Sequence, residues 1–226
     1  MLLFDKQLVN KHWRNNLILL ICIIVLFVVG TAVDVFDRAP VLSAVFFTFL
    51  VFSGVYAIDY LPAVRKGLLI NGVLVILVIW VDTIIPHRLL GTIGFFMLVL
   101  FLFGITISLI IHVASSKDVN ANIIFSAING YLLLGIIGGV SLLIIDRVTT
   151  EAILSNINSN SLDNYMYFSY VTLTTLGYGD LTPLAPGSRV VSMLLSISGQ
   201  LYVAILIAML VGKYLRNNLK EQSAAK

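Results

Sequence analysis

Residues 172–180 read Thr-Leu-Thr-Thr-Leu-Gly-Tyr-Gly-Asp and are the most informative stretch of the chain. Its two glycines, Gly177 and Gly179, alternate with residues that carry a Cβ atom. A backbone that alternates between right-handed and left-handed conformations turns successive carbonyl groups to the same side, and the left-handed positions are costly for residues other than glycine. The spacing therefore predicts a row of aligned backbone carbonyl oxygens.

The segment in front of this stretch is too short to cross a membrane. Residues 154–164 are rich in Ser and Asn, and the apolar and aromatic run 165–175 is shorter than the roughly 20 residues of a spanning helix. We expect a re-entrant helix over 162–174, with Asp163 near its start and its partially negative end beside the glycines. Irregular backbone at membrane depth is tolerated only inside protein or beside a water-filled path, so this segment is the first functional candidate.

Composition places the chain in a membrane. Of its 226 residues, 59% are hydrophobic and 11% are charged, and the mean hydropathy is +1.03. Soluble domains carry about 25% charged residues. The apolar runs leave no stretch long enough for a soluble catalytic domain, and no nucleophile, base and orienting group cluster in the sequence. We therefore expect neither an enzyme nor a protein that binds nucleic acid.

Six apolar runs separated by short polar turns predict six membrane-spanning helices with both termini on one side. The runs cover 16–33, 41–58, 67–85, 89–113, 121–145 and 189–214. Most Lys and Arg residues then fall on the side of the termini, and the exceptions are Arg38, Arg88, Arg147 and Arg189. Because positively charged loops stay on the inner side, we expect a multi-pass protein of the cell membrane with cytoplasmic N- and C-termini.

Residues 172–180 resemble the signature of the potassium channel superfamily, which usually has Val where this chain has Leu176. The resemblance extends over 121–214 and is only architectural before residue 121. It implies an all-α membrane protein of prokaryotic type with six spans, and a re-entrant pore helix and selectivity filter between the fifth and sixth. Four identical chains would surround one pore in the lipid bilayer, K+ would be the permeant ion, and no cofactor is expected.

The resemblance also assigns roles within the filter. It implies that the backbone carbonyls of Thr175, Leu176, Gly177 and Tyr178 bind K+, with the Thr175 hydroxyl at the inner end, and that Gly179 completes the filter. The side chains of Leu176 and Tyr178 would point away from the ions. The extra methylene of Leu176 must then pack behind the filter, where we expect it to leave selectivity for K+ over Na+ intact.

Residues that flank the filter are expected to support it. They are Thr174, Asp180, Tyr167, Phe168 and Val171. Some members of the family have a glutamate at the position of Val171 that interacts with the aspartate after the filter, so Asp180 must here find another partner or face water. The rings of Tyr167 and Phe168 either hold the width of the filter or anchor the loop at the membrane interface.

The last apolar run, 189–214, resembles the pore-lining inner helix of the family. Gly199 falls where many relatives have a hinge glycine, although close helix packing would equally require a small residue. Val203 and Ile207 would line an aqueous cavity, where apolar rings gate by loss of water. For Gln200 we expect a hydrogen bond to a neighbouring helix rather than contact with an ion.

The N-terminal part differs from the voltage-gated branch of the family. Arg88, immediately before the fourth run, is the only Arg or Lys in residues 87–113, whereas a voltage sensor carries roughly three or four gating charges. We therefore expect residues 1–120 to form a four-helix domain that braces the pore or senses a lipid, membrane tension or a regulatory protein. Residues 121–214 would form the pore domain, and residues 215–226 a short cytoplasmic tail without a ligand-binding motif.

Together these features predict a passive, potassium-selective channel that is not steeply voltage-gated. Two alternatives remain open. An ion-coupled potassium transporter component would generally keep single glycines in several pore loops, whereas this chain has one loop with the whole motif. A non-conducting modulatory subunit would not need a complete filter.

Overall fold

The computed structural model describes residues 2–33, 39–58, 62–116, 119–149, 154–155 and 162–224. Within these ranges the fold is all-α, with seven helices. They are α1 (Leu2–Val33), α2 (Ala39–Ala57), α3 (Pro62–Ile84), α4 (Arg88–Ser115), α5 (Ala121–Val148), α6 (Leu162–Leu173) and α7 (Pro186–Ala224). The short helix α6 lies between two long ones, as predicted for the re-entrant segment.

Four of the described helices contain segments long and apolar enough to cross a membrane. These segments are Val64–Ile84 in α3, Arg88–Ser115 in α4, Ala121–Val148 in α5 and Pro186–Lys213 in α7. The apolar parts of α1 and α2 are shorter and cover Trp13–Val28 and Val41–Ala57. Helices thus occupy all six predicted runs, while length and composition identify four of them as candidate spans.

Two helices extend beyond the apolar runs that predicted them. α1 begins at Leu2 rather than near residue 16, and α7 continues to Ala224 rather than ending near residue 214. An apolar run marks only the part of a helix that lipid or protein buries, whereas the backbone hydrogen bonds of a helix continue through polar residues. Residues 215–224 are therefore a continuation of α7.

One hydrophobic core joins the first four helices to α5. Phe47 of α2, Phe101 of α4 and Ile136 of α5 are almost completely buried within it. Helices α4 and α5 are joined by the short connection 116–120 and pack as neighbours. The N-terminal helices therefore pack against α5 of their own chain.

Polar and aromatic contacts bring α1 against both α5 and α6. Asn16 of α1 donates from Nδ2 to Asn122 Oδ1 at 2.7 Å, and its carbonyl accepts from Asn129 Nδ2 at 2.8 Å. Further along α1, the ring of Phe27 meets the ring of Tyr170 edge-on, with 4.8 Å between the centroids. Since Tyr170 belongs to α6, α1 reaches the helix that precedes the predicted filter, residues 175–179, which we call the filter stretch.

Three glycines of α5 create the space that α6 occupies. A Cβ atom at Gly135 would collide with the ring of Tyr170, and one at Gly138 with the hydroxyl of Ser169. Gly139 is closed off in the same way by another side chain of α6. The Ser169 hydroxyl donates to the Gly135 carbonyl at 2.7 Å. These small residues allow the backbones of α5 and α6 to approach closely. The contact sets where α6, and the filter stretch after it, lie along α5.

Candidate ion-conduction site

Helix α6 sets the position at which the filter stretch begins. It covers Leu162–Leu173, within one residue of the predicted bounds, and has Asp163 in its first turn. The N–H and the hydroxyl of Thr174 both donate to the Tyr170 carbonyl, at 2.9 and 2.7 Å. Thr174, one of the predicted supporting residues, thus closes the end of α6 and directs the chain into residues 175–180.

The backbone of the filter stretch alternates in hand. Thr175, Gly177 and Gly179 have φ angles of 60°, 58° and 78°, which lie in the left-handed region. The two glycines were predicted to adopt this conformation, but Thr175 was not. A β-branched residue at positive φ is an outlier that persists only where its surroundings enforce it, and such residues cluster at functional sites. Continuing the alternation back from Gly177 by two residues would have identified it.

The N–H groups of the filter stretch turn back to α6. Those of Leu176 and Gly177 donate to the Val171 carbonyl at 3.0 and 3.2 Å, and that of Thr175 donates to the Thr172 carbonyl at 3.0 Å. Among the described residues, no backbone N–H donates to the carbonyls of residues 175–178. Val171 therefore supports the stretch through its carbonyl oxygen, and the oxygens of residues 175–178 keep their lone pairs for other ligands.

Asp180 has a partner on α6. The Tyr167 hydroxyl donates to Asp180 Oδ2 at 2.6 Å and provides the contact that Val171 cannot. This hydrogen bond is the main cause that lowers the pKa of Asp180 below its ordinary value of 3.8. Of the two aromatic residues predicted to support the filter, Tyr167 thus contacts the residue that follows it. Phe168 is instead buried with Leu142 and Tyr165, where it holds α6 against α5.

The side chains of Leu176 and Tyr178 are largely uncovered within one chain. Leu176 is 55% exposed and Tyr178 is 67% exposed. A Cβ atom added at Gly177 or Gly179 would meet no atom within 4 Å. The backbone of this segment is therefore held by α6, while the side chains of Leu176 and Tyr178 face outward from the chain.

Gly199 brings α7 against the end of α6. It is buried, and a Cβ atom at this position would collide with the backbone carbonyl of Leu173, the last residue of α6. The hydroxyl of Tyr202, one turn later, donates to the Ala127 carbonyl of α5 at 2.6 Å. The contact with Leu173 supports the role of Gly199 in close helix packing. Its role as a hinge remains a prediction.

Gln200 contacts the filter stretch rather than a helix. Its Nε2 atom donates to the Thr175 hydroxyl oxygen at 3.3 Å, so the predicted partner on a neighbouring helix is wrong. Val203 and Ile207 are 41% and 55% exposed and follow Gln200 at spacings of three and seven residues. These three residues therefore share one face of α7. Sequence reasoning missed the partner of Gln200 because a contact across 25 residues leaves no local pattern.

A charged cluster joins α3, α4 and α5 at the ends predicted to lie outside. Arg147 lies 3.6 Å from Asp82, and its guanidinium stacks over the Phe95 ring at 4.7 Å. Arg88 Nε donates to the Arg147 carbonyl at 2.6 Å. Asp82, Arg88 and Arg147 thus come together at helix ends that were predicted to lie on the outer side. Arg38, also predicted on that side, lies outside the described residues.

Parts of this chain are similar to known proteins. Residues 124–216 match the protein family described as Ion channel. Potassium voltage-gated channel subfamily A member 10 of Mus musculus is 34% identical over 55 residues, which are 24% of this chain and 11% of that protein. Potassium voltage-gated channel protein Shal of Drosophila melanogaster is 33% identical over 69 residues, which are 30% of this chain and 12% of that protein.

A third relative, potassium voltage-gated channel subfamily A member 5 of Oryctolagus cuniculus, is 33% identical over 55 residues, or 24% of this chain and 9% of that protein. The matches thus span about a tenth of the length of these relatives. The matched family covers α5 from residue 124, the whole of α6 and the filter stretch, and α7 as far as residue 216. The chain is therefore similar to the family described as Ion channel over residues 124–216, which are fewer than half of its 226 residues, and shorter stretches are similar to potassium channels.

Proposed function

We propose that this chain is one subunit of a homotetrameric channel that conducts K+ passively and selectively across the cell membrane. The observation that carries the proposal is the alternating backbone of Thr175, Gly177 and Gly179. With the N–H groups of residues 175–177 turned back to α6, the carbonyls of residues 175–178 are available as ligands. Backbone carbonyl oxygens are the groups that replace the hydration shell of K+ in selective filters.

The surfaces that one chain leaves uncovered support assembly into a tetramer. A single chain supplies one row of oxygens, and a dehydrated ion needs a ring of them. Only 11% of the apolar segment of α7 is buried within the chain, and Leu176 and Tyr178 are exposed. Three further copies would cover these surfaces, support the filter from outside and place Val203 and Ile207 around a common cavity.

The proposal includes six membrane crossings with both termini in the cytoplasm. Helices α1 to α4 would brace the pore or transmit a signal from a lipid or a regulatory protein. Along the described residues of α4, Arg88 stands at the start and His112 in the last turn, without an arginine ladder between them. Because steep voltage gating needs several charges per subunit, the channel would open by another stimulus. K+ would be the permeant ion, and no cofactor is expected.

Flux through purified protein in liposomes tests the proposal. A K+ gradient should drive flux that exceeds flux of Na+ and Cs+, and Gly177→Ala should abolish it because Ala is strained at a φ of 58°. Gly212→Ala is the matched control, since Gly212 lies on α7 with open space around its Cα atom. Native mass spectrometry should report four subunits. Equal Na+ flux would refute selectivity, and tetramers without flux would favour a modulatory subunit.

A further inference from the structure

We propose that Gln200 is a positioning residue for the Thr175 hydroxyl and sets how tightly the innermost cation site of the filter holds an ion that arrives along α7. The inference rests on the proposed function, because it concerns the same filter. It adds a residue of α7 to a site that is otherwise built from the segment 175–178.

The contact depends on how α7 meets α6. Gly199 lies against the Leu173 carbonyl, and this close approach brings the next residue, Gln200, beside the first residues of the filter stretch. The Nε2 atom of Gln200 is then 3.3 Å from Thr175 Oγ1. Both side chains are exposed within one chain, on the side that the proposed tetramer would enclose. They therefore face the path of the ions.

The amide and an ion compete for the same hydroxyl oxygen. A threonine hydroxyl has two lone pairs and one hydrogen atom. The Gln200 amide takes one lone pair and directs the positive end of its N–H dipole towards the place where a cation would bind Thr175. It also restrains the side chain of a residue whose φ is 60°. Gln200 should therefore fix the orientation of the hydroxyl and weaken cation binding at the innermost site.

A divalent cation of similar size to K+ reveals this effect most clearly. Ba2+ is close to K+ in radius and carries twice the charge, so an opposing dipole raises its free energy twice as much. Removal of the N–H dipole of Gln200 should consequently increase the affinity for Ba2+ more than the affinity for K+. The ratio of the two affinities is the quantity that distinguishes positioning of the hydroxyl from a general loss of structure.

Two variants of Gln200 remove the contact in different ways, one by removing the amide and the other by shortening the side chain that carries it. Gln200→Met keeps the length of the side chain and removes the donor, whereas Gln200→Asn keeps an amide that is one methylene too short to reach Thr175. In both variants we expect Ba2+ to inhibit K+ flux at about a tenfold lower concentration, which corresponds to about 1.4 kcal/mol. Gly212→Ala should leave the inhibition unchanged.

A second readout does not depend on conduction. Ligands that bind the folded state raise the midpoint of thermal unfolding, so titration of purified protein with BaCl2 or KCl gives both affinities in detergent. Absence of K+ flux in the wild type would count against the proposed function, and the thermal titration would still decide the role of Gln200. An unchanged Ba2+ affinity in Gln200→Met and Gln200→Asn would overturn that role.

A double-mutant cycle shows whether Gln200 acts through Thr175. In the Thr175→Ala background the hydroxyl is absent, so Gln200→Met should cause no further change in Ba2+ affinity. In the Thr175→Ser background the hydroxyl remains and the shift of about tenfold should return. The same shift in the Thr175→Ala background would mean that Gln200 acts on the ion by itself, and the proposal would be wrong.

Discussion

Helices α4 and α7 are similar in sequence character and opposite in environment. Each contains a strongly apolar segment of 28 residues, yet half of the most apolar part of α4 and only 11% of the most apolar part of α7 are buried within the chain. Leu98, Phe101 and Leu102 place α4 at the centre of the core. Apolar composition therefore identifies both as membrane helices, and only the packing distinguishes the helix buried in its own chain from the helix that the proposed tetramer would cover.

The few internal contacts of α7 are correspondingly specific. Gly199 fits against the Leu173 carbonyl, Tyr202 bonds the Ala127 carbonyl, and Lys213 donates from Nζ to the Val113 carbonyl at 2.5 Å. A helix with so little buried surface depends on each such contact. Substitutions on α4 and α7 should therefore differ in what they damage, and the following predictions use that difference.

The largest effect is expected at Gly199. A Cβ atom there meets backbone rather than a side chain that can move, so Gly199→Ala should displace α7 and cost about 3 kcal/mol of stability, the upper end for overpacking. Flux should be lost and the midpoint of thermal unfolding lowered, while Gly212→Ala on the same helix changes neither. If Gly199→Ala instead kept full thermal stability and altered only opening, the glycine would act as a hinge.

A matched pair of leucines tests the contrast between the two helices directly. Leu102 of α4 is fully buried and Leu194 of α7 is 62% exposed. Leu102→Ala should lower the free energy of unfolding by about 2 kcal/mol, the low end for this substitution because lipid is as apolar as leucine. Leu194→Ala should lower it much less and alter subunit association instead. Unfolding by SDS and native mass spectrometry measure the two quantities, and equal losses with intact tetramers would contradict the contrast.

The sequence predicted the parts of this site that depend on residue type. Gly177 and Gly179 could be assigned left-handed backbone because few other residues tolerate it, and the bounds of α6 followed from the short apolar run. Val171 was predicted to support the filter, but the contact through its carbonyl could not be predicted, since every residue has that group. The partners of Tyr167 and Gln200 also escaped prediction, because tertiary contacts are not encoded in local spacing.

The architecture around the site was predictable in outline. Six apolar runs located six of the seven described helices, but not the extension of α7 to Ala224. The space on α5 that α6 occupies was not predicted, because Gly135 and Gly138 resemble the small residues of any membrane helix. Only the structure shows that Tyr170 and Ser169 fill the space beside them. Composition reveals where close packing is allowed, and only the fold reveals where it occurs.

The loop between α6 and α7 should show a pH effect of moderate size. The Tyr167 hydroxyl stabilises the ionised form of Asp180 and lowers its pKa below 3.8. The stabilisation is therefore present above the ordinary pKa and is lost as the pH falls through the lowered value. Tyr167→Phe should raise the pKa of Asp180, so that acid inhibits K+ flux at a higher pH than in the wild type.

Asp180→Asn provides the control for this pH effect. It removes the titrating group, so Tyr167→Phe should cause no further shift of the inhibition midpoint in that background. Liposome flux measured over a series of external pH values gives the midpoint. An identical midpoint in the wild type and in Tyr167→Phe would mean that the hydrogen bond does not influence conduction.

The smallest effect is expected where α1 meets α5. Asn129 is fully buried and donates to the Asn16 carbonyl, but among the described residues its Oδ1 atom has no partner. Asn129→Leu loses the hydrogen bond to the Asn16 carbonyl and a longer one of 3.5 Å to Asn16 Oδ1, but it also removes one unpaired oxygen, so the opposing changes nearly cancel. Interhelical hydrogen bonds in membranes average about 0.6 kcal/mol, and the loss of stability should not exceed that value.

Ser126 offers a matched control on the same helix. It is fully buried, and its hydroxyl has no partner among the described residues, so Ser126→Ala should be neutral or slightly stabilising. Unfolding by SDS would compare the two variants. A loss of more than about 2 kcal/mol in Asn129→Leu alone would exceed the largest values measured for such bonds. In that case the attachment of the N-terminal helices to their own pore domain would depend on this polar contact rather than on the apolar packing of α4.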